Sequence, residues 1–172
     1  MNHETKPSIS IAAIGQDSHA FMEPDAQGYE GRPLILGGLT IEEGQALAGN
    51  SDADVVLHAL TNALSGLSGQ RVLGAPADDL CQRGIVDSRA YVRLALASLE
   101  QIQLTHLSFS IEAKKPHLAD YIDRMRKEIA RLVGLPFDRV AITATSGEGL
   151  TAFGQGQGIA CTCIASALLG LD

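Results

Sequence analysis

Tryptophan is absent from this 172-residue chain, and aromatic side chains make up only 4% of it. The core must therefore come mainly from Leu, Ile, Val and Ala. Cysteine is scarce too. Cys81, Cys161 and Cys163 are too few and too irregularly spaced for a disulfide framework, and reduced thiols in a cytoplasmic compartment fit them best. A basic surplus is also lacking. The net charge of −7 argues against sequence-independent binding of nucleic acid, which needs a basic face, but leaves room for a locally positive pocket that takes a phosphorylated small molecule. No apolar run approaches the ~20 residues of a membrane span, and the first residues show no charged-then-apolar signal pattern. The expectation is a soluble, cytoplasmic protein with no membrane or nucleic-acid partner. What is present, 45% apolar and 19% charged residues, suits one domain over residues 1–172, with 1–7 a loose polar tail and no repeat or linker.

Strand and helix patterns alternate along the chain. Ser8–Ile14 reads as a strand, followed by a turn carrying Asp17 and His19, a Gly/Pro/Asp loop over 22–33, and a strand over Leu34–Ile41 broken at Gly37-Gly38, for which a hairpin is the alternative reading. The clearest helix spans 50–64, with Ser51 and Asp52 as cap candidates and Asp54, His58 and Asn62 on one stripe. Residues 65–84 read as an irregular loop. A helix over 88–101 follows, capped by Asp87-Ser88, then a strand over 105–113, a helix over 118–132 ending at Gly134, and a strand over 139–145. The apolar stretch Ile159–Leu169 reads as a buried helix, which would splay Cys161 and Cys163 around its surface. The fold class is α/β (α+β), a mixed sheet with helices packed on it.

Three residues carry the candidate chemistry. In extended chain, Asp17 and His19 point to the same side, and a third ligand from His58 would complete a set with an open position, as catalytic zinc requires. A D-x-H pair alone is a weak signal, and from spacing alone a core histidine satisfied by a neighbouring carboxylate or amide is the plainer reading of His58. If the triad forms, Asp54 and Asn62 are placed to take the second ring N–H of His58. The Gly-rich loop 147–158 would offer backbone N–H groups to phosphate at a helix start, and Glu148 within it could ligate a hard cation. A flexible turn and an exposed acid are the competing readings. Lys114-Lys115 could meet phosphate or be solvated.

In order and spacing, several stretches resemble the 2-C-methyl-D-erythritol 2,4-cyclodiphosphate synthase family. They are Asp17–Phe21, Leu34–Gly38, Ser51–Leu60, Asp87-Ser-Arg89, Lys115-Pro116, Met125-Arg126, Ala144-Thr145 and Gly154–Ala160. The resemblance implies a homotrimer with active sites between subunits and a zinc ion on Asp17, His19 and His58. It also implies a second divalent ion (Mg²⁺ or Mn²⁺) at Glu148, which joins the triad as a catalytic residue. The substrate would be a cytidine diphosphate carrying a 2-phosphorylated methylerythritol, cyclised with release of CMP. Substrate contacts would fall on Ser18, Asn50, Ser51, Gly74, Ala113, Lys114, Lys115, Pro116, His117, Thr145, Ser146 and Gln155. The chain departs from the family pattern at Asn50, Asn62, Val72, His117 and Gln155, with Val72 standing where a carboxylate grips the sugar diol. The alternatives are a paralogue with the same metal site acting on another phosphorylated or nucleotide-linked ligand, and a non-catalytic homologue.

Overall fold

The computed structural model describes residues 7–171. The tail expected over 1–7 therefore lies outside the described residues except for Pro7, whose carbonyl accepts a hydrogen bond from Leu171 N–H at 2.9 Å. The elements run β1 (Ser8–Ala20), β2 (Leu34–Leu36), β3 (Leu39–Ile41), α1 (Val55–Ser68), α2 (Ala75–Gln82), α3 (Ser88–Ala97), β4 (Ile102–Glu112), α4 (Ala119–Val133), β5 (Val140–Thr145) and β6 (Gly158–Gly170). Four strands form one mixed sheet in the order β1-β6-β4-β5, with β4 and β5 parallel and the other pairs antiparallel. The β2–β3 hairpin stands apart, and Gly37 and Gly38, both at positive φ, make its turn.

Two expectations are corrected. The segment 159–169 is not a helix but the central strand β6, paired with β1 on one side and β4 on the other. Its inward residues Cys161, Cys163, Ala165 and Ala167 are buried under the helices, so the two thiols share a face instead of diverging. Both faces of β6 are apolar or small, and such a run carries no period that separates strand from helix. The supposed loop 65–84 is largely helical: α1 continues to Ser68, and α2 follows at Ala75 with Pro76 in its first turn. Among the residues of α2 only Ala77 is fully buried, so it has no apolar stripe to announce it.

The core lies between the sheet and the helices. Leu107, Phe109 and Ile111 of β4 and the inward side of β6 meet Val56, Leu57, Leu60, Ala63 and Leu64 of α1, with Tyr91 and Val92 of α3 and Met125 and Ile129 of α4 behind them. The opposite face of the β1–β6 ribbon is open, with Ile14, Ile164 and Leu168 exposed on it. Gly15 fixes the approach of α1 to β1. A Cβ there would collide with the backbone of Ala59 and Ala63, so only glycine lets the helix lie directly on the strand. That approach brings the middle of α1 to the end of β1, where the polar residues gather.

Candidate metal centre

Strand β1 continues through Ala20, so Asp17 and His19 sit in paired strand and not in a turn, opposite Cys161 and Ile159 of β6. Their side chains leave the sheet on one side, as the two-residue period requires. Helix α1 supplies the third group. Its start is held by Asp54, whose carboxylate caps it through Val56 N–H and Leu57 N–H and also accepts from Gly37 N–H at 2.9 Å and Gly38 N–H at 2.6 Å. Burial pushes the Asp54 carboxyl up to about 6, against the pull of these backbone donors. One turn further on, His58 is 8% exposed and faces β1.

The three side chains converge. Asp17 Oδ2 lies 2.9 Å from His58 Nδ1 and 3.2 Å from His19 Nε2, and the two rings are 5.6 Å apart by their centroids. Ligand atoms from all three lie within 4.8 Å of one another. Burial alone would raise the Asp17 carboxyl, but hydrogen bonds from His19 and His58 outweigh it and hold the group at about 2. The same Asp17 bond raises His19 above the usual imidazole range, against desolvation, with the Ala48 backbone adding to the rise. Two imidazole nitrogens and one carboxylate oxygen form a donor set suited to Zn²⁺, Mn²⁺ or Fe²⁺. The residues fit a divalent ion that keeps an open coordination position.

The triad borders a cavity of about 230 Å³ that also takes in Asn50, Ser51, Leu73, Gly74, Ala77, Asp78, Cys81 and Tyr91. The Tyr91 ring lies 6.0 Å from that of His58, and its hydroxyl donates to Ile85 O at 2.9 Å with Cys81 Sγ also 2.9 Å away. A second cavity, about 280 Å³, is lined by Ala113, Lys114, Pro116, His117, Leu118, Ala144, Thr145 and Ser146, among others. The two share no lining residue.

Of the expected substrate contacts, Asn50, Ser51 and Gly74 fall in the triad cavity, and Ala113, Lys114, Pro116, His117, Thr145 and Ser146 in the other. Four expected site residues border neither. Ser18 lies between the two strand ligands, is exposed, and points to the open face of the sheet by the strand alternation. Lys115 lies over the Phe21 ring at 5.1 Å and donates to Gln45 Oε1 at 3.1 Å. Gln155 Nε2 donates to Gly149 O at 3.3 Å. Glu148 is exposed at φ 49° and accepts from Ser146 Oγ at 3.0 Å, outside the three-ligand cluster. The loop carrying it runs into strand β6, so the anticipated helix N-terminus for phosphate does not exist there.

The expected partners of the second His58 nitrogen are also different. Asp54 is engaged by backbone amides, and Asn62 Nδ2 donates to Gln16 O at 3.0 Å. Nε2 of His58 instead faces Ser88 Oγ at 2.8 Å and Ser51 Oγ at 3.3 Å. Ser88 is thirty positions away in sequence, and its proximity follows only from the packing of α3 on α1. Asp78, Cys81 and Tyr91 were likewise not anticipated, because no short-range motif ties α2 or α3 to the D-x-H pair.

Fold and site together define a mixed α/β protein with a triad suited to a divalent metal between its first strand and its first helix. The chain belongs to the YgbB family, whose pattern matches residues 11–168. It is 46% identical over 158 residues to the 2-C-methyl-D-erythritol 2,4-cyclodiphosphate synthase of Chlamydia trachomatis serovar L2b, covering 91% of this chain and 86% of that one. The protein of the same name from Chlamydia caviae is 40% identical over 158 residues, covering 91% and 88%. A solved 2C-methyl-D-erythritol-2,4-cyclodiphosphate synthase in a CDP-bound form superposes with a TM-score of 0.78 at 28% identity, over 91% of this chain and 99% of that one. The bifunctional IspDF of Campylobacter jejuni superposes with a TM-score of 0.82 at 26% identity, over 95% of this chain and 43% of that one.

Proposed function

We propose that this protein is a 2-C-methyl-D-erythritol 2,4-cyclodiphosphate synthase, a phosphorus–oxygen lyase of non-mevalonate isoprenoid-precursor synthesis. An oxygen of the substrate's 2-phosphate attacks the β-phosphorus of the cytidine diphosphate. The bond from that phosphorus to the α-phosphate oxygen breaks, CMP leaves, and a cyclic diphosphate remains. The observation that carries this reading is the convergence of Asp17, His19 and His58 on one point, in a chain 46% identical to proteins of that name. The same likeness favours authentic synthase activity over a paralogue with another substrate.

Zinc held by Asp17, His19 and His58 would neutralise phosphate charge and keep nucleophile and phosphorus aligned. The chain's own groups do the rest. Asn50, Ser51 and Asp78 border the triad cavity with an amide, a hydroxyl and a carboxylate for the methylerythritol hydroxyls, Asp78 standing in for the carboxylate that buried Val72 lacks. Lys114 brings a cation to the second cavity, and His117, Thr145 and Ser146 bring hydrogen-bonding groups that suit a nucleotide. Glu148 is the ligand we assign to a second ion, Mg²⁺ or Mn²⁺.

We assign the productive site to the triad cavity of one copy together with the 113–117 and 145–148 surface of its neighbour, a reading supported by two cavities that share no lining residue within one chain. The exposed apolar face of the β1–β6 ribbon is the surface we assign to assembly, as a homotrimer. Residues 1–172 are read as one synthase domain. None of the described helices is long and apolar enough to cross a membrane, and the three unpaired thiols suit the cytoplasm. The test is to incubate purified protein with the cytidine-diphosphate substrate and divalent metal, following CMP by chromatography and the cyclic diphosphate by ³¹P NMR. Metal-dependent release of both is expected. Metal-loaded protein that yields neither would overturn the assignment.

A further inference from the structure

A histidine that offers Nδ1 to a metal must carry its proton on Nε2, and a buried Nε2–H needs an acceptor. In His58 the Nδ1 edge faces Asp17 at 2.9 Å, so the Nε2 edge decides whether the ring is held in the metal-binding tautomer. Two hydroxyls are within reach there, Ser88 Oγ at 2.8 Å and Ser51 Oγ at 3.3 Å. They differ in what stands behind them. Ser51 Oγ already accepts from Ala53 N–H at 3.2 Å and stands farther from Nε2 than Ser88 Oγ does. Ser88 is fully buried, and its hydroxyl proton has a charged acceptor, Asp52 Oδ1, at close range. The other oxygen, Asp52 Oδ2, takes Ser88 N–H at 3.0 Å. Asp52 therefore grips Ser88 through backbone and side chain together, fixing the rotamer and turning an oxygen lone pair toward His58.

The geometry assigns Ser88 and Asp52 as positioning residues of the metal centre: a carboxylate–hydroxyl–imidazole chain that keeps Nε2 of His58 protonated, so that Nδ1, which bonds Asp17 without metal, is the nitrogen a divalent cation takes up. The ionised carboxylate fixes the direction of the first bond. Asp52 is acceptor-only when ionised, so Ser88 must donate to it, and the Ser88 oxygen is then available to accept from His58. This chain takes the place of Asp54 and Asn62, whose side chains are committed elsewhere. A purely structural role is the competing reading, since Asp52 also ties the turn before α1 to the start of α3. That role would move folding stability but not the histidine tautomer or the relative affinity for metal.

The inference rests on the reading of Asp17, His19 and His58 as a metal site, and its test uses no substrate. Zn²⁺ and Co²⁺ affinities are measured by chelator competition for the intact protein and for Ser88→Ala, Asp52→Asn and Ser51→Ala, together with the Co²⁺ absorption spectrum and the unfolding of each metal-free protein. Ser88→Ala is expected to weaken Zn²⁺ binding about 10–100-fold and to alter the Co²⁺ spectrum. Asp52→Asn should lose less and Ser51→Ala least. A second readout needs no variant: ¹⁵N NMR of the zinc-loaded protein should show His58 with a protonated Nε2 and a metal-shifted Nδ1. Wild-type affinity and spectrum in folded Ser88→Ala, or a His58 that binds zinc through Nε2, overturns the assignment. Wild-type protein that takes up neither Zn²⁺ nor Co²⁺ overturns the triad reading and this one with it.

Discussion

The two cavities are built differently. The triad cavity is walled by elements that also make the core. Its ligands come from a strand paired along its length and from a helix pressed onto it at Gly15, and the outward nitrogen of His58 has a buried partner. The cavity over 113–118 and 144–146 lies where β4 and β5 run out into loops, beside a glycine-rich segment whose Glu148 and Leu150 are exposed. The difference separates two tasks. Groups that must hold a small ion within a few tenths of an ångström are fixed by one chain's packing. On the proposed function, the groups that would meet a large, flexible nucleotide stay on an open surface that another copy would complete.

The most severe way to break the contrast is on the triad. Asp17→Ala removes the oxygen on which both imidazoles converge, so zinc affinity should collapse and CMP release should fall roughly a thousandfold or more. Because Asp17 is half-buried and not part of the apolar core, circular dichroism of the variant should stay close to that of the wild type. A variant that binds zinc and releases CMP normally would dissolve the distinction between the two regions.

The next test acts on the open side. Glu148→Gln keeps size and hydrogen bonding but removes the charge, and is expected to lower kcat by about 10²–10³-fold in magnesium. Zinc affinity at the triad should not change, because Glu148 lies outside the three-ligand cluster. Equal losses of zinc affinity and kcat would show that the two regions are not separable.

The smallest effect is one of pH, and it sharpens the electrostatic side of the contrast. Without metal, the contact with Asp17 raises His19, so that contact stabilises the fold fully below the imidazole's unfolded value of about 6.5 and is lost as pH rises through the folded value. Asp17, held at about 2, contributes above about pH 4 and is lost as pH falls toward 2. Zinc needs His19 deprotonated, so the rise in Tm on adding zinc should be larger at pH 8 than at pH 5.5. Asp54, pushed up to about 6, weakens the fold as pH rises through that value, but it does so with or without zinc and cancels in the comparison. Calorimetry at the two pH values checks the direction, and a zinc-induced shift that shrinks at pH 8 would contradict it.

Local rules made part of this architecture readable. The two-residue period of extended chain put Asp17 and His19 on one side, and paired glycines marked the break that the β2–β3 turn fills. Asp87 and Gly134 marked the ends of α3 and α4 as capping chemistry predicts. Strand β6 was misread as a helix because Thr162, Ile164, Ser166 and Leu168 on its open face are nearly as apolar as the cysteines and alanines opposite them. An open face that is small and apolar is itself what an assembly surface looks like, and that information is not local. Asp54, not Ser51 or Asp52, caps α1, since capping-competent side chains at 51, 52 and 54 leave spacing without a basis for choice. Ser88 and Asp52 behind His58 were invisible for the same reason as Asp78 and Tyr91: their role depends on how α2 and α3 pack, not on any neighbour in sequence.

The central claim, that one cation joins β1 to the middle of α1, is tested most directly by zinc-edge X-ray absorption on the zinc-loaded protein, with His58→Ala alongside. The account predicts one zinc per chain with two imidazole ligands and further oxygen ligands at about 2.0–2.2 Å, and loss of that imidazole signal in the variant. Sulfur ligation at about 2.3 Å, or an unchanged spectrum in His58→Ala, would place the metal elsewhere and contradict it.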